Sequence, residues 1–145
     1  MVHIEKTVMV PYSAEQMFAL VDTVERYPEF LPWCSRSEVL KREENILEAT
    51  VYMDYMKIHQ SFSTHNENTP PHHISMTLLQ GPFTALNGVW QFTPLGEKIC
   101  KVHFTLDYDF SNALLAKVIG PVFSMISGNL VSSFVKEAKR RYGGH

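Results

Sequence analysis

Asp107 and Asp109 stand two apart in an alternating stretch, so both carboxylates point to one face of a strand. Paired carboxylates are the equipment of acid–base catalysis on sugars and esters, but a solvated strand face presents the same pattern. His72 and His73 follow Pro70-Pro71. Adjacent residues of a strand face opposite ways, so these imidazoles are not expected to chelate one metal ion. No HExxH and no CxxC spacing occurs, and no metal site is expected. The chain has no GxSxG, and Gly81-Pro82-Phe83 is too short to cradle a phosphate. Asp54, His59 and His103 remain as groups that could serve as acid or base in a cavity, and no motif links them. No catalytic residue stands out, and no cofactor is required by any of these patterns.

What the chain has in surplus is large apolar side chains. Its 145 residues include nine Phe, seven Met, six Tyr and two Trp. Met and aromatic side chains line adaptable apolar pockets and also fill cores. The length suits one domain, and 45% hydrophobic content excludes a disordered chain. Thirteen Lys and Arg against fifteen Asp and Glu leave a net charge of -2, which is not the signature of a DNA-binding domain. Only Cys34 and Cys100 are present, and free buried thiols in a reducing compartment are the expectation. The N-terminus lacks the layout of a signal peptide, which points to the cytoplasm. Residues Ala113 to Val131 carry one charge, Lys117, but are interrupted by Gly120, Pro121, Gly128 and Asn129. They read as a buried amphipathic helix rather than a membrane span. Beyond them Lys136, Lys139, Arg140 and Arg141 outweigh Glu137. Cations in a last turn complement the helix dipole, and the same patch could meet anionic lipid or RNA.

The elements follow from period and punctuation. His3 to Val10 alternates as a strand, Pro11-Tyr12 breaks it, and Ser13-Ala14-Glu15-Gln16 reads as a capping box. The helix behind it turns Met17, Phe18, Leu20 and Val21 inward, and a second short helix over Thr23 to Tyr27 is expected to end at Pro28 and Pro32. Period two then takes over in Ile46–Tyr55, Ile58–Thr64, His73–Leu79, Val89–Thr93 and Cys100–Tyr108. Asn66 to Pro71 reads as a turn cluster and Pro94 to Glu97 as another. Ser111 is a plausible N-cap of a last, long helix with Leu115, Val118, Ile119, Val122, Phe123, Ile126, Leu130, Phe134 and Ala138 inward, and Gly143-Gly144 closes it. Pro121 is expected to kink it. A strand, two short helices, about six meandering strands and one long helix make an α+β domain. A space between sheet and helix would be lined by Phe62, Met76, Leu78, Trp90, Phe92 and Phe104.

Three stretches carry a family resemblance. Val10-Pro11-Tyr12-Ser13-Ala14-Glu15-Gln16-Met17-Phe18, then Tyr27-Pro28-Glu29-Phe30-Leu31-Pro32-Trp33-Cys34, resemble the opening of coenzyme Q-binding START-like proteins. Gly81-Pro82-Phe83, Leu86, Gly88, Trp90, Phe92, Pro94 and Leu95 resemble the middle motif, and Phe110-Ser111-Asn112 with Leu114, Leu115, Gly120 and Phe123 the start of the last helix. The resemblance implies a helix-grip fold of the polyketide cyclase superfamily, with a curved sheet of about seven strands around the helix. It also implies a tunnel for ubiquinone or a related lipid, which the protein carries for respiration without turnover, at times at the inner membrane surface. Phe83, Phe123 and Ile126 join the tunnel lining in this reading, and Pro32 and Trp33 lie at its mouth. The same family includes bacterial ribosome-association toxins. The alternative expectation is therefore binding to the large ribosomal subunit, blocking 70S formation, with Lys136, Lys139, Arg140 and Arg141 as the contact surface. A cyclase-like enzyme is the third.

Overall fold

The computed structural model describes residues 1–143. Strand β1 (Val2–Val10) leads through Ser13 into helix α1 (Ala14–Asp22). The capping box is formed: Ser13 Oγ accepts from Gln16 N at 3.1 Å, and Gln16 Oε1 accepts from Ser13 N at 2.9 Å. A 3-10 turn (Val24–Arg26) runs into helix α2 (Tyr27–Phe30). Here Pro28 does not end the helix but sits in its first turn, where its missing N–H costs nothing. The stop is Leu31, which is extended, because Pro32 disfavours helical backbone in the residue before it.

Six strands follow as a meander: β2 (Cys34–Glu43), β3 (Ile46–Tyr55), β4 (Ile58–Thr69), β5 (His73–Gln80), β6 (Phe83–Gly96) and β7 (Ile99–Phe110). They form one antiparallel seven-stranded sheet in the order β1-β7-β6-β5-β4-β3-β2. Two strands run further than their sequence pattern. β4 continues to Thr69, so Asn66 lies in a strand paired with Leu47 on one side and Met76 on the other, not in a turn. β6 begins at Phe83 and passes through Pro94 to Gly96, and the turn is the two residues Glu97-Lys98. Asparagine, glycine and proline hid these segments, but ladders on both sides hold them. Pro94 is accommodated at a register shift. Gly81 allows a close approach: a Cβ there would lie 2.7 Å from Phe62 Cβ.

Helix α3 (Ala113–Tyr142) is one continuous element that runs through Pro121. Its cap is Asn112, whose side chain accepts from Leu115 N at 2.9 Å, rather than Ser111. Gly143 ends it with φ 84. Gly144 lies outside the described residues. The helix covers the sheet face that carries Cys100, Val102, Phe104, Leu106 and Tyr108, all buried as their alternation predicts. Ile119, Phe123, Ile126, Phe134 and Ala138 are buried against it, but Val118 turns outward and is 50% exposed. With Leu114 and Met125 it gives the first half of α3 an exposed apolar face. The helix is long and apolar enough to cross a membrane by length and composition, yet only 28% of its most apolar window is buried. Both cysteines are free and buried, and burial pushes each thiol up to about 11.

Candidate functional site

Between the sheet and α3 lies a small chamber of ≈ 90 Å³. Its position follows from the alternation of the strands. Ala49 and Val51 of β3 and Thr64 and Asn66 of β4 point in, as do Met76 of β5, Leu86 and Trp90 of β6, and Phe104 and Leu106 of β7. Phe123, Ile126, Ser127, Leu130 and Phe134, at helical spacing on α3, close the other side. Val24, Tyr27 and Trp33 complete the wall. Aromatic rings fix much of it. Trp90 lies 4.3 Å from Phe104 and 5.4 Å, edge-on, from Phe134, and Tyr27 meets Phe134 at 5.4 Å.

Of the expected lining, Phe62, Met76, Trp90, Phe104, Phe123 and Ile126 border the chamber, and so does Trp33. Leu78, Phe83, Phe92 and Pro32 do not. Phe83 packs among Phe62, Phe110 and Phe123 at one end, with centroids 5.9, 5.0 and 5.0 Å away. Phe92 is stacked behind Trp90 at 6.1 Å, with Phe18 5.9 Å away on its edge. Both are core. Leu78 packs further along β5, opposite Thr64, and Pro32 is exposed. Sequence reasoning missed Tyr27, Thr64, Asn66 and Ser127, because polar residues were not sought in an apolar lining.

These polar groups differ in how they are met. The Tyr27 hydroxyl donates to Val21 O, and burial pushes its phenol above the ordinary range. Ser127 Oγ donates to Phe123 O at 2.8 Å. Asn66 is only 7% exposed, and its Oδ1 is buried without a hydrogen-bond partner. Among the described residues no carboxylate, imidazole, amine or thiol borders the chamber.

The carboxylate and imidazole candidates of the strands lie on the other face of the sheet. His59 and Ser35 both hydrogen-bond Asp54 and, in that order, hold its carboxyl below the usual range. The serine thus meets the carboxylate and not the imidazole, so the three groups do not form a serine–histidine–carboxylate relay. These groups sit beside an open groove of ≈ 780 Å³ that also includes Thr50 and Ser63, whose hydroxyls are 2.6 Å apart. His103 Nε2 lies 2.7 Å from Glu5, and His3 Nδ1 lies 2.6 Å from Asp107, which raises the imidazole of His3. Asp54, His59 and His103 therefore do not share a cavity with the chamber. His72 precedes β5, and both His72 and His73 border one shallow groove, contrary to the opposite-face expectation. Among the described residues no three His, Cys, Asp or Glu side chains are grouped to hold a metal ion.

The basic end of α3 is divided. Glu137 is 3% exposed and accepts from Arg140 at 2.8 and 2.7 Å and from Arg141. Those bonds hold its carboxyl below the usual range. Arg141 also lies over the Phe30 ring at 5.5 Å. Arg141 is thus part of the packing, Arg140 is half engaged, and Lys136 and Lys139 stand exposed.

A curved sheet that grips one long helix around an apolar chamber defines a helix-grip, START-like domain. The chain belongs to the polyketide cyclase / dehydrase and lipid transport family, whose model matches residues 10–135. It is 43% identical over 141 residues to the ribosome association toxin RatA of Pseudomonas aeruginosa, covering 97% of this chain and 98% of that one. A coenzyme Q-binding protein COQ10 homolog of Xenopus laevis is 28% identical across 91% of this chain and 56% of its own length. Among solved structures, the Zhui aromatase/cyclase from Streptomyces superposes with TM-score 0.85 at 18% identity, covering 97% of this chain and 95% of that one. At that identity the fold alone is shared. The protein CC1736 from Caulobacter crescentus superposes with TM-score 0.75 at 27% identity, covering 99% of this chain and 100% of that one.

Proposed function

We propose that the chain associates with the ribosome, at the large subunit, and hinders subunit joining in the cytoplasm. The observation that carries this reading is the end-to-end match, at 43% identity, to a protein named for ribosome association. Lys136 and Lys139, with Arg140 beside them, are the contact surface in this reading, because they project from α3 while Arg141 is held inward. Contacts of lysine with RNA phosphates weaken steeply with salt. The test is sedimentation of ribosomes mixed with purified protein. The expected result is a loss of 70S particles in favour of free subunits, reduced by added salt and by Lys136→Glu with Lys139→Glu. A 70S peak unchanged at saturating protein overturns the reading.

A second reading uses the interior. The apolar chamber and the likeness to a coenzyme Q-binding homolog support an apolar ligand, with ubiquinone as the specific candidate and no cofactor needed. The chamber of ≈ 90 Å³ is small for a prenylated quinone. Loading one would widen the space between α3 and the sheet. Exposed Leu114, Val118 and Met125 would then meet the membrane surface during loading. Mass spectrometry of organic extracts tests this, and protein that carries no lipid and binds no short-chain quinone overturns it. Carriage without turnover is part of this reading. Inside and outside readings are compatible, since a fold can carry two sites.

A further inference from the structure

The chamber wall carries four hydroxyl or amide side chains, Tyr27, Thr64, Asn66 and Ser127, and the Oδ1 of Asn66 is unmet. Tyr27 and Ser127 spend their protons on backbone carbonyls. Asn66 presents a fully buried Oδ1 with no partner, from a side chain that is 7% exposed. A buried acceptor left without a donor is unfavourable, and native proteins keep few of them. A leucine of similar size would pack in this wall without that penalty. The carboxamide is also not there to shape the strand, because β4 is held by ladders to β3 and β5 on both sides of it.

We propose that the chamber binds an apolar ligand through one hydroxyl group, which donates to Asn66 Oδ1. The inference rests on the second reading above, that the interior receives a ligand, and deepens it by naming the head-group chemistry. The ligand class is an aryl alcohol: a phenol or a quinol with an apolar ring or tail. A hydrocarbon leaves the acceptor unmet, and an oxidised quinone offers it only further carbonyl oxygens. Trp90, Phe104, Met76 and Ile126 supply the apolar contacts around the ring. For a quinone/quinol pair the consequence is selectivity by redox state, with the reduced form held and the oxidised form released.

The test uses three small probes of nearly equal shape: p-cresol, its methyl ether and toluene. Each is titrated into the whole protein by two-dimensional amide NMR. The expected result is shifts at Thr64, Asn66, Met76 and Ile126, with p-cresol about tenfold tighter than the other two, which corresponds to about 1.4 kcal/mol. Asn66→Leu is expected to bring the three probes within about twofold of one another while toluene still binds. Equal affinities in the unsubstituted protein overturn the hydroxyl inference and leave the ligand reading standing. So does a p-cresol preference that survives Asn66→Leu, which would assign the acceptor to Thr64, Ser127 or a buried water. A comparison of p-benzoquinone with hydroquinone needs no variant, and tighter binding of the quinone likewise overturns it, because the amide would then be donating. If no probe binds, or the shifts fall elsewhere, both the inference and the ligand reading fail.

Discussion

Two of the buried polar places along helix α3 are opposites. Near its C-terminal end Glu137 is almost fully enclosed, yet it is bonded by Arg140 and Arg141, and Arg141 rests on Phe30. Near its middle Asn66 is nearly as enclosed, and its Oδ1 is bonded by nothing. The Glu137 carboxylate is met from within its own helix, and Arg141, whose Nη2 is buried without a partner, links that end of α3 to α2 through Phe30. An unsatisfied neutral acceptor fixes nothing by itself and is the kind of group that a visitor completes. One end of the helix therefore carries a buried charge with partners, and the middle faces an acceptor without one.

Breaking the clamp is expected to have the largest effect. Glu137→Leu leaves the mostly buried Arg141 without its carboxylate and should destabilise by about 3 kcal/mol, a fall in Tm of about 10 °C by calorimetry. The clamp also has a pH signature. The carboxyl of Glu137 is depressed when folded, so its contribution is full above the unfolded value near 4.5 and is lost as pH falls through the lower folded value. The Tm difference between the unsubstituted protein and Glu137→Gln should thus be steady at neutral pH and shrink below about pH 4.

Asn66→Leu is the opposite case and should stabilise the ligand-free protein by about 1 kcal/mol, because it removes an unmet acceptor. Denaturant unfolding measures this, and a loss of similar size would mean that water already fills the role. Lys136→Glu with Lys139→Glu should change stability by less than about 0.5 kcal/mol, since both side chains are exposed, while abolishing the salt-sensitive part of ribosome association. The smallest effect is expected on the outer face. Asp107 raises the His3 imidazole, so its NMR titration midpoint should lie above 6.5 and return toward it in Asp107→Asn.

The elements legible in the sequence are those whose side chains repeat with the backbone period. Cys100 to Tyr108 alternates and is buried residue by residue, and the Ser13–Gln16 box is local enough to be read from four letters. The site was legible only in its apolar part. Asn66 resembles a turn residue because asparagine favours turns, and only pairing with two neighbouring strands overrides that preference. Phe83 and Phe92 are chemically suited to a tunnel, but packing against Phe123 and Phe18 makes them core. Arg140 and Arg141 read as free charge. The i,i+3 and i,i+4 spacing from Glu137 is a local helix pattern, but the burial of Glu137 and the contact of Arg141 with Phe30, more than a hundred residues away, are not.

The first strand of the chain waits for its partner. β1 pairs only with β7, a hundred residues later: Val2 opposes Tyr108 and Val10 opposes Cys100. Tyr12 donates to Gly143 O at 2.9 Å and Tyr142 to Gln16 O at 3.2 Å. During synthesis the N-terminal strand and helix therefore leave the ribosome with an uncovered apolar face and no template. The meander can zip hairpin by hairpin, but the sheet closes and α3 docks only after the whole helix has emerged. The apolar interior between sheet and helix is thus the last part of the molecule to form.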